Sequence, residues 1–225
     1  MNQDKVVAAL NALSNKKSLE GMSHFGIKIE NALGISMPAL RNMAKQIGKN
    51  HALANELWET GLHEARILAS MIADKKKVTP IQMDVWVKDF NSWDVCDQCC
   101  GNLFRYTPYA YDKAIEWALS EKEYTKRAGF AMMASLAVGD KKAADEKFLP
   151  FFDLIIANAE DERNFVRKAV NWALRQMGKR SYFLRVKALE CIDTLLKNKN
   201  KTAQWIAKDA LRELMDEKIM ERIKR

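Results

Sequence analysis

Val166-Arg167-Lys168-Ala169-Val170-Asn171-Trp172-Ala173-Leu174 opens with a basic pair and continues as small and large apolar residues at helical spacing. Thr125-Lys126-Arg127-Ala128-Gly129-Phe130-Ala131-Met132 repeats that scheme 41 residues earlier. Ile206-Ala207-Lys208-Asp209-Ala210-Leu211-Arg212 repeats it 40 residues later, and Glu64-Ala65-Arg66-Ile67-Leu68-Ala69 is a looser fourth copy. Elsewhere apolar residues also recur at three- and four-residue steps, as in Val6-Val7-Leu10-Leu13 and Ile67-Leu68-Met71-Ile72. No segment sustains period-two alternation, so no strand is expected. Breaks are expected at Gly21, Gly34, Gly61, Pro80, Asn91, Pro108, Gly139, Gly178 and Asn198–Asn200.

A period near 40 with two helices per unit predicts an all-α fold of HEAT-like or armadillo-like helical repeats. Each helix pair buries its apolar stripe against its neighbours, and the stack curves into an α-solenoid. The expectation is a single repeat domain over residues 1–225 with a concave, basic groove. Such a groove suits an elongated partner like duplex DNA. Helical repeats also bind proteins and peptides, so architecture alone does not choose.

With 48% apolar and 29% charged residues, the chain reads as a globular protein with a substantial core. Nine Gly and four Pro leave little material for the turns of an all-β fold. No apolar run approaches the roughly 18 residues that span a bilayer. Met1-Asn2-Gln3-Asp4-Lys5 has no basic segment followed by an apolar one, and the expected location is the cytoplasm. Cysteines stand at 96, 99, 100 and 191. Cys96-x-x-Cys99 has metal-ligand spacing, but with no second pair and no nearby His these read as buried reduced thiols, with no metal expected.

The net charge of +8 is unevenly placed. From Arg163 to Leu189 there are eight basic residues and no acidic one: Arg163, Arg167, Lys168, Arg175, Lys179, Arg180, Arg185 and Lys187. A one-signed patch of that kind is the usual footprint of a polyanion partner, whereas a solvated helix face normally mixes signs.

Two tryptophans have neighbours able to support chemistry. Trp93 and Asp97 are four residues apart in Ser92-Trp93-Asp94-Val95-Cys96-Asp97, which stacks them on one helical face. An aromatic ring beside a carboxylate can seat a cation or a cation-like transition state. The same pair also reads as a capped helix start with a core ring, since carboxylates favour a first turn. Trp172 has Lys168, Arg175 and Lys179 around it on its helix. That suits a phosphate backbone with a sugar or base against the ring, or equally a half-buried tryptophan whose charged neighbours reach water. Arg127 shares a face with Tyr124 and Ala131, as a surface residue or as a phosphate contact. His24, His51 and His63 are scattered, and no phosphate loop, metal-binding His pair or nucleophile elbow is present.

Taken together, the ordered motifs resemble the AlkD-type DNA alkylation repair proteins, a family of HEAT-like repeat DNA glycosylases. The resemblance runs from Leu33-Gly34-Ile35-Ser36-Met37-Pro38 through Trp93-Asp94-Val95-Cys96-Asp97 and Lys126-Arg127-Ala128 to Lys168-Ala169-Val170-Asn171-Trp172-Ala173-Leu174-Arg175. It implies a catalytic set of Trp93, Asp97, Arg127 and Trp172. It further implies a DNA contact at the position of Ser36, and the one-signed stretch supplies others in Arg163, Arg167, Lys168, Arg175, Lys179 and Arg180. One departure is visible: Ser36 stands where a family member carries Gln.

The implied activity is excision of positively charged N3- or N7-alkylated purines from double-stranded DNA, by a monomer without metal or cofactor. Alkylation already weakens the N-glycosidic bond, and the departing base becomes neutral. Positive charge then develops on the deoxyribose. Asp97 stabilises it or positions water, the two tryptophan faces sit against the sugar, and Arg127 grips a phosphate. The flipped base need not enter a tight pocket, in keeping with the missing pocket motif. Two alternatives use the same fold: a non-catalytic repeat protein recognising DNA shape or branched structures, and a protein-binding scaffold. The same resemblance assigns Asp97 to catalysis and leaves Asp94 as the structural aspartate.

Overall fold

The computed structural model describes residues 2–223, which form fourteen α-helices and no strand. They are α1 (Gln3–Ala12), α2 (Lys16–His24), α3 (Met37–Ile47), α4 (His51–Glu59), α5 (His63–Ile72), α6 (Pro80–Lys88) and α7 (Trp93–Asn102), then α8 (Ala110–Ala118), α9 (Glu123–Gly139), α10 (Leu149–Asn158), α11 (Asn164–Gly178), α12 (Tyr182–Lys197), α13 (Lys201–Leu214) and α14 (Glu217–Arg222). The chain divides into two compact units, Met1–Pro108 and Tyr109–Arg225.

Local chemistry sets most helix starts. Asn50, Thr79, Ser181 and Asn200 each accept from backbone N–H groups two or three residues on, satisfying donors that a helix start leaves open. Pro80 occupies the first helical position of α6, where its missing N–H costs nothing. Gly139 and Gly178 close α9 and α11 as expected. The break expected at Gly21 is corrected: Gly21 lies inside α2, which starts at its Asn15 cap and runs through to His24. No neighbouring atom crowds that glycine, so the helix carries only its intrinsic penalty of about 1 kcal/mol.

Helices pair as the period requires. In the first unit α4 packs on α5, and α5 on α7. In the second, α8 packs on α9, α10 on α11 and α12 on α13, while α9, α11 and α13 stack in sequence and α10 lies against α12. The four sequence copies are therefore α5, α9, α11 and α13, each the second helix of its pair. Trp58 and Trp86 stack at 4.0 Å and 3° in the first core. In the second, a Cβ on Gly129 would stand 2.4 Å from the Ala118 backbone nitrogen and 2.9 Å from the Ala114 carbonyl, so glycine is what lets α9 lie on α8.

Candidate nucleic-acid interface

In the first unit, α7 carries both Trp93 and Asp97. Trp93 is the first helical residue and half-buried, and its indole N–H donates to the Phe25 carbonyl at 3.1 Å. That bond fixes the ring plane against the turn after α2. Asp97, one turn further on and half-buried, lies beyond the first turn, whereas Asp94 lies within it.

Asp94 is occupied structurally. Its carboxylate receives the Ser92 hydroxyl and the Val95 N–H (2.9 Å) and lies 2.8 Å from Nε2 of buried His63 on α5. Burial pushes the Asp94 pKa up, but the bonds from His63, Ser92 and Val95 outweigh it and hold the carboxyl below its usual value.

Upstream, buried Glu64 accepts three consecutive backbone N–H groups, from Leu33 (2.9 Å), Gly34 (2.8 Å) and Ile35 (3.2 Å). This carboxylate shapes the turn into α3, where Ser36 is the exposed N-cap and makes no capping bond. Cys96, Cys99 and Cys100 are buried in α7, and burial pushes the Cys99 thiol well up, so it stays protonated.

In the second unit, Arg127 on α9 is only 6% exposed and donates to the Phe165 carbonyl at 2.7 Å, tying α9 to the start of α11. Trp172 is half-buried on α11. With the Gln176 amide turned to satisfy its neighbours, its oxygen accepts from Trp172 Nε1 (3.1 Å) and Lys179 Nζ (3.2 Å).

The acid-free stretch in sequence is not acid-free in space. Glu213 on α13 pairs with both Arg175 and Lys179. Burial pushes the Glu213 pKa up, but those two cations outweigh it and hold the carboxyl below its usual value. Asp161 pairs with Arg163, whose guanidinium also donates to the Glu121 carbonyl at 2.7 Å. Arg180 packs over the Phe148 ring, pairs with Asp145 at 3.2 Å and donates to the Ala137 and Ala143 carbonyls. Lys187 pairs with Glu190, and Arg185 is buried against Met215.

Arg167, Lys168 and Arg185 of the eight have no carboxylate among the described residues, and of these Arg185 is buried. Arg167 instead lies over the Trp205 ring, 5.2 Å from its centroid. Exposed Lys201 and Lys208 on α13 join them. Lys208 belongs to the repeat copy that α13 carries, whereas Lys201 and Trp205 stand just before it. Adding 40 to Phe165 would have found Trp205.

The family model for DNA alkylation repair enzymes matches residues 6–214. A solved structure described as belonging to a new family related to the HEAT-like repeat DNA glycosylases, with affinity for branched DNA structures, is similar over 100% of this chain and 98% of its own. The identity is 23% and the TM-score 0.79, which gives the fold as a HEAT-like helical repeat. No curated protein sequence matches the chain.

Proposed function

This chain belongs to the DNA alkylation repair enzyme family, and from that premise we propose that it hydrolyses the N-glycosidic bond of cationic N3- or N7-alkylated purines in duplex DNA. The observation that carries the reading is Trp93: a half-buried ring pinned through its N–H at 3.1 Å, one helical turn from the Asp97 carboxylate. A positively charged alkylpurine is already a good leaving group, so the protein needs to stabilise charge on the sugar rather than protonate the base. A carboxylate and a fixed aromatic face do that without a metal.

In this reading Asp97 stabilises the developing oxocarbenium charge or positions water while Trp93 presents its face to the sugar, and Trp172 offers the DNA an aromatic face on the second unit. Arg127 is a positioning residue, because its buried guanidinium holds the Phe165 carbonyl and thereby the start of α11. Arg167 and Lys168 contact phosphates with their whole charge. Arg163, Arg175, Lys179 and Arg180 contribute what their carboxylate partners leave, and Ser36 offers an exposed hydroxyl.

The test is release of free base from a 7-methylguanine duplex by the wild-type chain and by Asp97→Asn. Loss of a group aimed at developing charge costs about 2.7–4 kcal/mol, or about 10²–10³ in rate. Equal release by Asp97→Asn removes Asp97 from the chemistry.

A second reading, non-catalytic recognition of branched DNA, draws support from the described affinity of the similar structure and from the Ser36 departure. Tight, salt-sensitive binding to a four-way junction with no base release from any alkylated substrate would select it.

A further inference from the structure

Tyr124, Phe165 and Trp205 stand 41 and 40 residues apart, one repeat each: Tyr124 and Phe165 in the first turns of α9 and α11, and Trp205 one turn into α13. A cation follows each three residues later on the same helical face: Arg127, Lys168 and Lys208. The Tyr124 and Phe165 rings stack at 5.8 Å and 27°. Arg167 then covers one side of Trp205, continuing the row onto α13. The three helices are packed in succession within one unit, so the row crosses neighbouring helices.

The end of this row is open. Trp205 is 38% exposed, whereas Trp58, Trp86 and Trp117 are buried. Its ring borders a shallow depression of about 570 Å³ whose rim is Lys201, Gln204, Lys208, Asp209 and Arg212. Asp209 is the single acid there, and Arg212 pairs with it at 2.5 Å. Arg167, Lys168, Lys201 and Lys208 carry no carboxylate partner among the described residues. Arg167 Nε is buried without any hydrogen-bond partner. Unneutralised cations therefore gather where an aromatic face is left uncovered.

We infer that this face of the second unit binds unpaired nucleotides, with a base stacked on Trp205 and the flanking phosphates on Lys168, Lys201 and Lys208. The inference rests on the nucleic-acid reading above and adds a substrate form to it. A duplex has its base faces already stacked, so an open ring gains little from it beyond charge. An unpaired base has a free face, and stacking on an aromatic ring is tolerant of sequence. Arg167 over the opposite side of the ring holds the platform in place and adds its own charge.

The test compares labelled dT15 with a blunt 15-base-pair duplex by fluorescence anisotropy, using the full chain at two salt concentrations. Trp205→Ala should weaken dT15 binding about 5- to 150-fold, with Trp205→Phe losing far less and the duplex affinity falling proportionally less. Lys208→Glu should weaken dT15 and flatten its salt dependence. An unchanged dT15 affinity in Trp205→Ala, or equal losses on dT15 and duplex, overturns the inference. Wild-type binding to duplex but not to dT15 overturns it while leaving the broader reading intact. Failure to bind either DNA defeats both. Trp205-dependent capture of polyglutamate in place of dT15 would reassign the face to an acidic protein partner.

Discussion

Replacing Glu64 by Ala tests whether one buried carboxylate organises the entry to α3. Its Oε1 accepts the Gly34 and Ile35 N–H groups and its Oε2 accepts that of Leu33, at 2.8, 3.2 and 2.9 Å. Gly34 and Ile35 are buried and Leu33 is half-buried, so two donors lose their acceptor out of reach of water. An unsatisfied buried donor costs about 1–3 kcal/mol, which sets the loss at about 2–6 kcal/mol, with water relieving Leu33. Chain geometry gives no easy escape: Gly34 holds φ +74°, and its α-carbon faces the Asn15 carbonyl so closely that a Cβ would stand 2.3 Å away. Glu64→Gln keeps one oxygen for Gly34 and Ile35 but turns an amide N–H₂ toward Leu33, so its loss falls lower, at about 1–3 kcal/mol. Urea unfolding followed through tryptophan fluorescence measures both, because the Trp58–Trp86 stack reports on the same unit. The order Ala below Gln below wild type is expected at unchanged m-value. A Glu64→Ala protein within about 0.5 kcal/mol of wild type, the range of ordinary surface changes, refutes the reasoning.

Gly129→Ala should lower the melting temperature despite alanine's better helix propensity, because the new Cβ meets α8 backbone at 2.4 Å and overpacking costs about 1–3 kcal/mol; a rise in melting temperature contradicts that contact. Asp94 has a folded pKa below its unfolded one, so its stabilisation is full above the unfolded value near 4 and is lost as pH falls through the folded value. Chemical denaturation from pH 5 to pH 3 should therefore show a weaker pH dependence in Asp94→Asn than in wild type, and identical slopes would count against the His63–Asp94 pair. Glu213→Gln releases Arg175 and Lys179 from their shared carboxylate. If both face DNA, the log–log salt slope of duplex binding should steepen by up to about 1.8, at about 0.9 per phosphate; an unchanged slope takes the two residues out of the interface.

The helical class and the repeat were legible because they rest on spacing, and spacing survives folding. The copies at Arg66, Arg127, Lys168 and Lys208 fall on α5, α9, α11 and α13, the second helices of their pairs. Gly21 does not end its helix, because a glycine breaks a helix only where the chain has another conformation to prefer, and the Asn15 cap with open space around Gly21 offers none. Position alone did not separate Asp94 from Asp97, since both read as first-turn carboxylates; the structure places Asp94 in the first turn, where it meets Val95 N–H. The His63 contact to Asp94 had no local signal, since its two residues are 31 apart on different helices. Nor did Arg127 show its burial in sequence, because that depends on the Phe165 carbonyl 38 residues away.

Those separations share a cause. In a repeat protein each residue touches its own unit and the units on either side, so long-range partners lie about one period away. Glu213 is 38 residues from Arg175 and 34 from Lys179, and Asp145 is 35 from Arg180. A charge reading along the chain sees none of these and reports a pure basic stretch from Arg163 to Leu189. Folding the sequence at a period near 40 before counting charge places that stretch beside the segments that contain Asp145 and Glu213. The same operation sets Tyr124, Phe165 and Trp205 in one column and Arg127, Lys168 and Lys208 in the next. Cross-repeat neutralisation then falls on the last turn of α11 and the residues just after it, and unpaired charge remains on Arg167, Lys168, Lys201 and Lys208 around Trp205. Charge counted along the chain spreads over all of α11; charge counted by repeat concentrates its unpaired part at Arg167 and Lys168, with Arg167 over Trp205.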